Sequence, residues 1–426
     1  MTNDNAMHKK TLDTKTRNLI LVLFLIGVFM GSLDTGIIGP VLPSIEQTLH
    51  LTSRESSWIF TLFVMAFMIG SPVMAKFSDF YGRRKIFILD VILFGIGSCL
   101  IAFSMNIESI FLGRIIQGFG CGGIFPVGAA FIGDEFPLEE RGKALGILGS
   151  VFGISAIGGP LIGAALIPYG WNWCFTINIL IAIFIIIFAW HILPEVENER
   201  KLKIDYLGII TLSLISIFLS YGLNQIDSSN FINSLFSMKV LPFLIIFIIL
   251  IPIFFKVEKR AEESLVAIHI LKNREIRIAC IETLSYGIVY SSAIFIPSLV
   301  ILSMGLNDQL ASLMLIPILG ANAIGAPILG KILDYVGSRK IMMVGTILLT
   351  IGLIAIAIYP SNFILFLIAG LLIGIGLITL IGAPLRYIVL TEAKPYERGP
   401  TSLSLSWVLV LSTKQNHMKE GQARQL

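Results

Sequence analysis

Long apolar runs separated by short charged turns dominate this chain and leave few folds open to it. Twelve lie at about 19–40, 57–75, 86–105, 108–131, 143–167, 174–193, 206–224, 239–256, 279–303, 310–333, 341–359 and 363–390, with a half-length run at Ser402–Ser412. A membrane-crossing helix needs roughly 20 apolar residues, so the chain is expected to be an all-α polytopic membrane protein with about 12 to 13 spanning helices. Composition agrees. Of 426 residues 55% are hydrophobic and only 14% charged, with a mean hydropathy of +0.87, where a soluble protein carries roughly a quarter charged. The first run is too long for a signal-peptide core and lacks a small-residue cleavage site, so it is expected to be retained. The net charge of +4 sits in short loops and gives no reason to expect a nucleic-acid partner.

Two of the turns are copies of one another. Ala75–Lys85 reads AKFSDFYGRRK and Gly330–Lys340 reads GKILDYVGSRK. Each joins two apolar runs and is too short to cross anything, so each is a tight turn on one side of a bilayer. Gly82 and Gly337 permit a close turn. Asp79 and Asp334 can meet helix N-termini, and Arg83, Arg84 and Arg339 stay in water near anionic lipid. Asp79 and Asp334 are 255 apart, since 334 minus 79 is 255, and Arg141 and Arg398 in the turns Asp134–Gly142 and Thr391–Gly399 are 257 apart. The chain therefore carries an internal repeat.

Basic residues set the expected orientation. With a cytoplasmic N-terminus, the inner segments hold Lys9, Lys10, Lys15, Arg17, Arg83, Arg84, Lys85, Arg141, Lys203, Lys259, Arg260 and Lys340 among others, while the outer loops hold only Arg54 and Lys239. That asymmetry is the positive-inside rule. Trp58, Trp171 and Trp173 fall near outer helix ends, as an aromatic belt would. The expected divisions are a cytoplasmic segment at 1–18, a six-helix bundle at 19–193, two inserted helices with cytoplasmic linkers at 194–278, an incomplete second bundle at 279–412 and a polar tail at 413–426. The second half reads as short by about two helices. Truncation, a frameshift and a functional short form all remain open.

These motifs together resemble the major facilitator superfamily, and most closely its 14-span drug:proton antiporters of the EmrB/QacA type, over about residues 19–400. The loop signature rests on Ala75, Asp79, Gly82, Arg83 and Arg84, with Ala75 where the family usually has Gly and Phe80 where it usually has a basic residue. The resemblance implies two pseudo-symmetric bundles around a midplane cavity, plus two inserted helices, and a role for the loop in closing a cytoplasmic gate. The insert resembles the 14-span branch at Ile204–Gly208 and at Ser264–Arg274, whose pattern matches an amphipathic lead into the next span.

Asp34, in LDTGIIGPVLP, is similar to the acid of the family's first-helix signature. A carboxylate inside a spanning helix costs about 2.5–3.5 kcal/mol on insertion scales, which makes it a functional candidate; a satisfied structural carboxylate near the interface is the other reading. Arg114 and Gln117, in GRIIQG, resemble the family's R-x-x-Q-G. Counted from the expected helix ends, Asp34 and Arg114 each lie about 9 Å deep, so an ion pair that protonation breaks is expected. Gly149, Gly153, Gly158, Gly159, Pro160 and Gly163 resemble the antiporter signature on the fifth helix, where small residues let helices approach closely. Gln117 and Asn178 are assigned to the substrate cavity by resemblance. Glu282 either titrates in a cavity or snorkels to the interface.

Other patterns carry no such chemistry. Gly118-x-Gly120-x-x-Gly123 lacks the strand of a dinucleotide site, and Gly325-x4-Gly330 lacks the Ser/Thr of a P-loop. Cys99, Cys121, Cys174 and Cys280 read as buried hydrophobes, and the five histidines have no metal spacing. No cofactor, metal, ATP or enzymatic activity is expected. The expected partners are the lipid bilayer, a small-molecule substrate and protons, with the chain a monomer in the plasma membrane. The expected function is proton-coupled export of small, amphipathic or drug-like molecules. Export of a sugar, peptide or siderophore, a truncated inactive carrier and a non-transporting membrane sensor stay open beside it.

Overall fold

A computed structural model describes residues 13–195, 205–226, 231–261, 273–292, 296–306 and 314–381. The turn at Thr391–Gly399, the run at Ser402–Ser412 and all but the last two residues of Ser264–Arg274 lie outside them. The first half comprises α1 (Thr14–Leu49), α2 (Ser53–Tyr81), α3 (Arg83–Ala102), α4 (Ile107–Glu135), α5 (Leu138–Leu166) and α6 (Asn172–Ile192). Then come α7 (Tyr206–Asn224), the short α8 (Phe231–Leu235), α9 (Leu241–Glu258), α10 (Arg274–Ser292), α11 (Ile296–Met304), α12 (Ile316–Val336), α13 (Ser338–Ile358) and α14 (Phe363–Ile381). Among the described residues every regular element is helical, and nine helices are long and apolar enough to cross a bilayer.

The helix starts follow the sequence. Thr52 and Glu55 form a reciprocal capping box on α2, the Glu55 carboxylate accepting the Thr52 backbone N–H at 2.9 Å. Asn106 accepts the Ser109 N–H at 2.9 Å to open α4, and Asp205 accepts that of Gly208 at 2.9 Å to open α7. The first span ends later than expected. α1 continues nine residues past Pro40 to Leu49, because Val41 and Ile45 are fully buried against Ile59 and Ile110, and spanning helices tolerate proline where neighbours support the backbone. The span expected at 279–303 is described on either side of residues 293–295, as α10 and α11.

The two repeated turns have the same backbone. Gly82 joins α2 to α3 at φ 93°, ψ 144°, and Gly337 joins α12 to α13 at φ 82°, ψ 150°. A side chain at such a positive φ is strained by about 1–3 kcal/mol. Gly82→Ala is therefore expected to lower the thermal midpoint of the purified protein. Gly39→Ala, at a helical glycine with open space around it, should leave the midpoint unchanged or raise it.

The glycines of α4 hold the first half together by backbone contact on two faces. A Cβ on Gly118 would overlap the carbonyl of Phe63 in α2, and one on Gly122 would come within 2.6 Å of the Phe67 carbonyl and the Ser71 nitrogen. On the other face Gly120 and Gly123 admit Asp90 of α3, and Gly113 meets Gly97. Close helix approach through small residues explains the pattern that resembles a dinucleotide loop. Gly118→Ala should cost about 1–3 kcal/mol by overpacking, read as a lower midpoint and lower yield, whereas Gly133→Ala, with nothing nearby, should be neutral.

α5 joins the halves. A Cβ on Gly159 would come within 2.6 Å of Gly36 in α1, whereas one on Gly153 would meet Ala323 of α12 at 2.8 Å. Further along, a Cβ on Gly330 would meet the Gly142 carbonyl at 3.3 Å. α7 lies against α2, with the Trp58 and Tyr221 rings 5.7 Å apart, and α9 packs on α7, with the Tyr221 and Phe243 rings 4.4 Å apart.

Candidate functional site

Four helices bring polar side chains to one buried point. Asp34 of α1, Arg114 and Gln117 of α4, Asn178 of α6 and Ser98 of α3 are all at most 1% exposed. Arg114 Nη1 donates to Asp34 Oδ2 at 2.6 Å. Asp34 Oδ1 accepts from Gln117 Nε2 and from Asn178 Nδ2, both at 2.9 Å. Arg114 also donates to Gln117 Oε1 at 2.7 Å and, through Nε, to the Ile59 carbonyl at 3.0 Å. Its guanidinium carbon lies 4.2 Å from the Phe63 ring centroid. Gln117 Nε2 reaches on to Ser98 Oγ at 3.0 Å. A buried carboxylate needs a counter-charge and satisfied lone pairs, and Asp34 has both. Arg114 Nη2 and Asn178 Oδ1 are buried with no hydrogen-bond partner among the described residues, leaving one donor and one acceptor open beside the carboxylate.

The pairing of Asp34 with Arg114 is the expected one, but the depth count behind it is not. Asp34 stands 15 residues before the end of α1, 49 minus 34, and Arg114 seven after the start of α4, 114 minus 107. α1 overshoots, so helix ends are a poor ruler and side-chain contact decides. Gln117 and Asn178, expected to line a substrate cavity, are fully buried and hydrogen-bonded to Asp34. In this conformation they belong to the carboxylate's shell and line no open wall.

At one end of the bundle a second network surrounds the first turn. Arg83 pairs with Asp79 of α2 and, through Nε and Nη2, with Asp134 of α4 at 3.3 and 3.2 Å. Arg84 Nη2 donates to the Trp190 carbonyl at 2.6 Å and its guanidinium stacks on that indole at 5.4 Å. Arg17 of α1 meets Glu140 of α5 at 3.3 Å. These contacts tie α2, α3, α4 and α6 to one another, and α1 to α5, at this end.

Residues 24–408 match the Major Facilitator Superfamily. The chain belongs to that superfamily. It is a polytopic membrane transporter rather than an enzyme. The chain is 33% identical over 408 residues to the MFS-type transporter YfiU of Bacillus subtilis, covering 94% of this chain and 79% of the relative. It is 31% identical over 353 residues to Multidrug resistance protein 3 of the same organism, covering 82% and 68%. Among solved structures, the human organic anion transporter MFSD10 superposes with a TM-score of 0.71 at 15% identity, covering 96% of this chain and 94% of that one. The fold is thus that of the facilitators.

The remaining expected residues of this facilitator are dispersed. Ala75 is buried in α2 and Gly330 packs on Gly142, while Arg339 is exposed. The side chains of Asp334 and Pro160 lie outside the described ones. Of the α5 glycines, Gly153 and Gly159 face different neighbours, as above. Gly158 lies near Leu33, Gly163 is buried and Gly149 is half-buried. Glu282 is half-buried on α10, and its Oε2 has no hydrogen-bond partner among the described residues. Asp90 is a candidate that no sequence motif marks. It is an acid in the apolar stretch Ile86–Phe94, the same signal that marked Asp34.

Proposed function

We propose that this facilitator is a proton-coupled exporter of small amphipathic molecules, an antiporter of the 14-span kind, with its N-terminus and Arg83 turn on the cytoplasmic face of the plasma membrane. The single observation that carries this reading is the buried Asp34–Arg114 pair with Gln117 and Asn178 gathered around it. A protein that only packs helices gains little from such a pair, since an apolar replacement is often as stable. A carrier gains a switch. Protonating Asp34 removes the charge that Arg114, Gln117 and Asn178 all address, which weakens the grip of α1 on α4 and α6. The freed Arg114 and the open Asn178 Oδ1 then offer polar contacts to a substrate or to water. Protons moving inward supply about 2.3 kcal/mol per 100 mV, and the Arg83 network holds the cytoplasmic end closed while the outer side opens. The name of the relative Multidrug resistance protein 3 supports an amphipathic, drug-like substrate class.

The test is substrate-driven proton release from everted membrane vesicles containing this chain, with a panel of lipophilic cations. Substrate addition is expected to discharge an acidic lumen as substrate accumulates. Accumulation that persists after the pH gradient is collapsed would overturn proton coupling.

A further inference from the structure

Asp90 is fully buried in the middle of α3, and neither carboxyl oxygen has a hydrogen-bond partner among the described residues. Its carboxyl group lies against Gly123 of α4, where any Cβ would overlap it, and its backbone carbonyl lies against Gly120. Two glycines thus make room for an acid that none of the described residues neutralises.

Packing alone does not ask for a carboxyl there. Asp90 and Gly345 are 255 residues apart, 345 minus 90, the offset of Asp79 and Asp334. The second copy has glycine at this position of α13, and Thr379 of α14 fills the space beside it. The same offset relates Gly97 to Gly352, both in close contact with the following helix. The seam is built in both halves, and only the first has an acid.

The location suggests what the acid does. Ser98, which accepts from Gln117 of the Asp34 cluster, is eight residues along α3 from Asp90, about 12 Å. Toward the other end, Arg83 is seven residues away, about 10 Å. The charged and titratable groups facing this seam are few. Cys121 of α4 is within electrostatic reach of both Asp34 and Asp90, and Arg114 is already paired with Asp34. On α2, Lys76 acts on Asp79. On α6, Cys174 lies toward Asp34 and His191 bonds the Ile187 carbonyl at the far end.

We propose that Asp90 is a second proton-binding site of this carrier, in series with Asp34 and on its cytoplasmic side. The proposal rests on the proton-coupled reading above. An unpaired carboxylate charge at this depth costs several kcal/mol, so the closed seam holds the neutral acid. When the α3–α4 seam opens toward the Arg83 end and water enters, the carboxyl O–H bond breaks, the proton passes to water and a carboxylate remains. A proton arriving from the Asp34 side restores the acid before the seam closes again.

The test compares the wild type with Asp90→Asn and with Asp90→Gly, the residue of the second copy, in the same vesicles. Three readouts are taken: proton-coupled transport against pH, substrate counterflow without a proton gradient, and the protonated-carboxyl band in infrared difference spectra. Both variants are expected to lose about tenfold or more of the coupled rate and to keep counterflow. The coupled rate should also lose one ionisation from its pH profile, and the band should vanish from the spectrum. Variants with full coupling and an unchanged pH profile would overturn the proposal, as would an unchanged infrared band. A wild type that accumulates substrate without protons, its carboxyl band still lost in Asp90→Asn, would instead fail the antiport reading.

Discussion

Asp34→Asn is expected to abolish substrate-driven proton exchange while leaving a folded protein that still binds substrate. Asparagine keeps the shape of the side chain and a carbonyl oxygen at the position of Oδ1, so the hydrogen bonds from Gln117 and Asn178 at 2.9 Å have an acceptor. It removes the charge at Oδ2, 2.6 Å from Arg114, and cannot take up a proton. Arg114 then relies on Gln117, the Ile59 carbonyl and the Phe63 ring, the same partners that hold it whenever Asp34 is protonated. The variant should therefore sit in the protonated-like state, with counterflow retained and proton release reduced to background. Proton release at the wild-type rate would remove Asp34 from the coupling mechanism.

Arg114→Met should have the largest effect on stability. The substitution deletes the cation from a fully buried pair and leaves a carboxylate facing only Gln117 and Asn178. Losing one partner of a buried pair costs about 3–5 kcal/mol, and here the Ile59 carbonyl also loses its donor. A marked drop in the thermal midpoint is expected, together with loss of transport. The double variant Asp34→Asn with Arg114→Met should recover much of the midpoint without recovering coupling, because the uncompensated charge is gone. The cycle of the two single variants and the double measures the pair directly. Strictly additive effects would show that the two side chains act independently.

Asp34 and Arg114 were legible because a charge in an apolar run is costly unless it is used. Asp90 obeys the same rule. It stands in no motif, and only its burial with no hydrogen-bond partner among the described residues separates it from a lipid-facing or interfacial acid. Gln117 and Asn178 were recognisable as polar residues in spans. Their convergence on one carboxylate was not, since they lie 61 residues apart, 178 minus 117, on helices whose relative rotation no local pattern records. Gly153 and Gly159 illustrate the same limit. Both read as packing positions, yet one meets α12 in the other half and the other meets α1.

The existence of most spans, the two tight turns and the 255-residue repeat could be read from the chain alone. Each depends on local quantities: twenty apolar residues in a row, a glycine at positive φ, a spacing of 255. The tertiary structure decided the azimuth and the partner of every spanning helix. In water, an amphipathic pattern shows which helix face is buried. In a bilayer the lipid is as apolar as the protein interior, so α4 needs no amphipathic stripe to grip α2 with Gly118 and Gly122 and α3 with Gly120 and Gly123. Which face packs is then set by shape and by rare polar contacts, and those exist only once several helices are assembled.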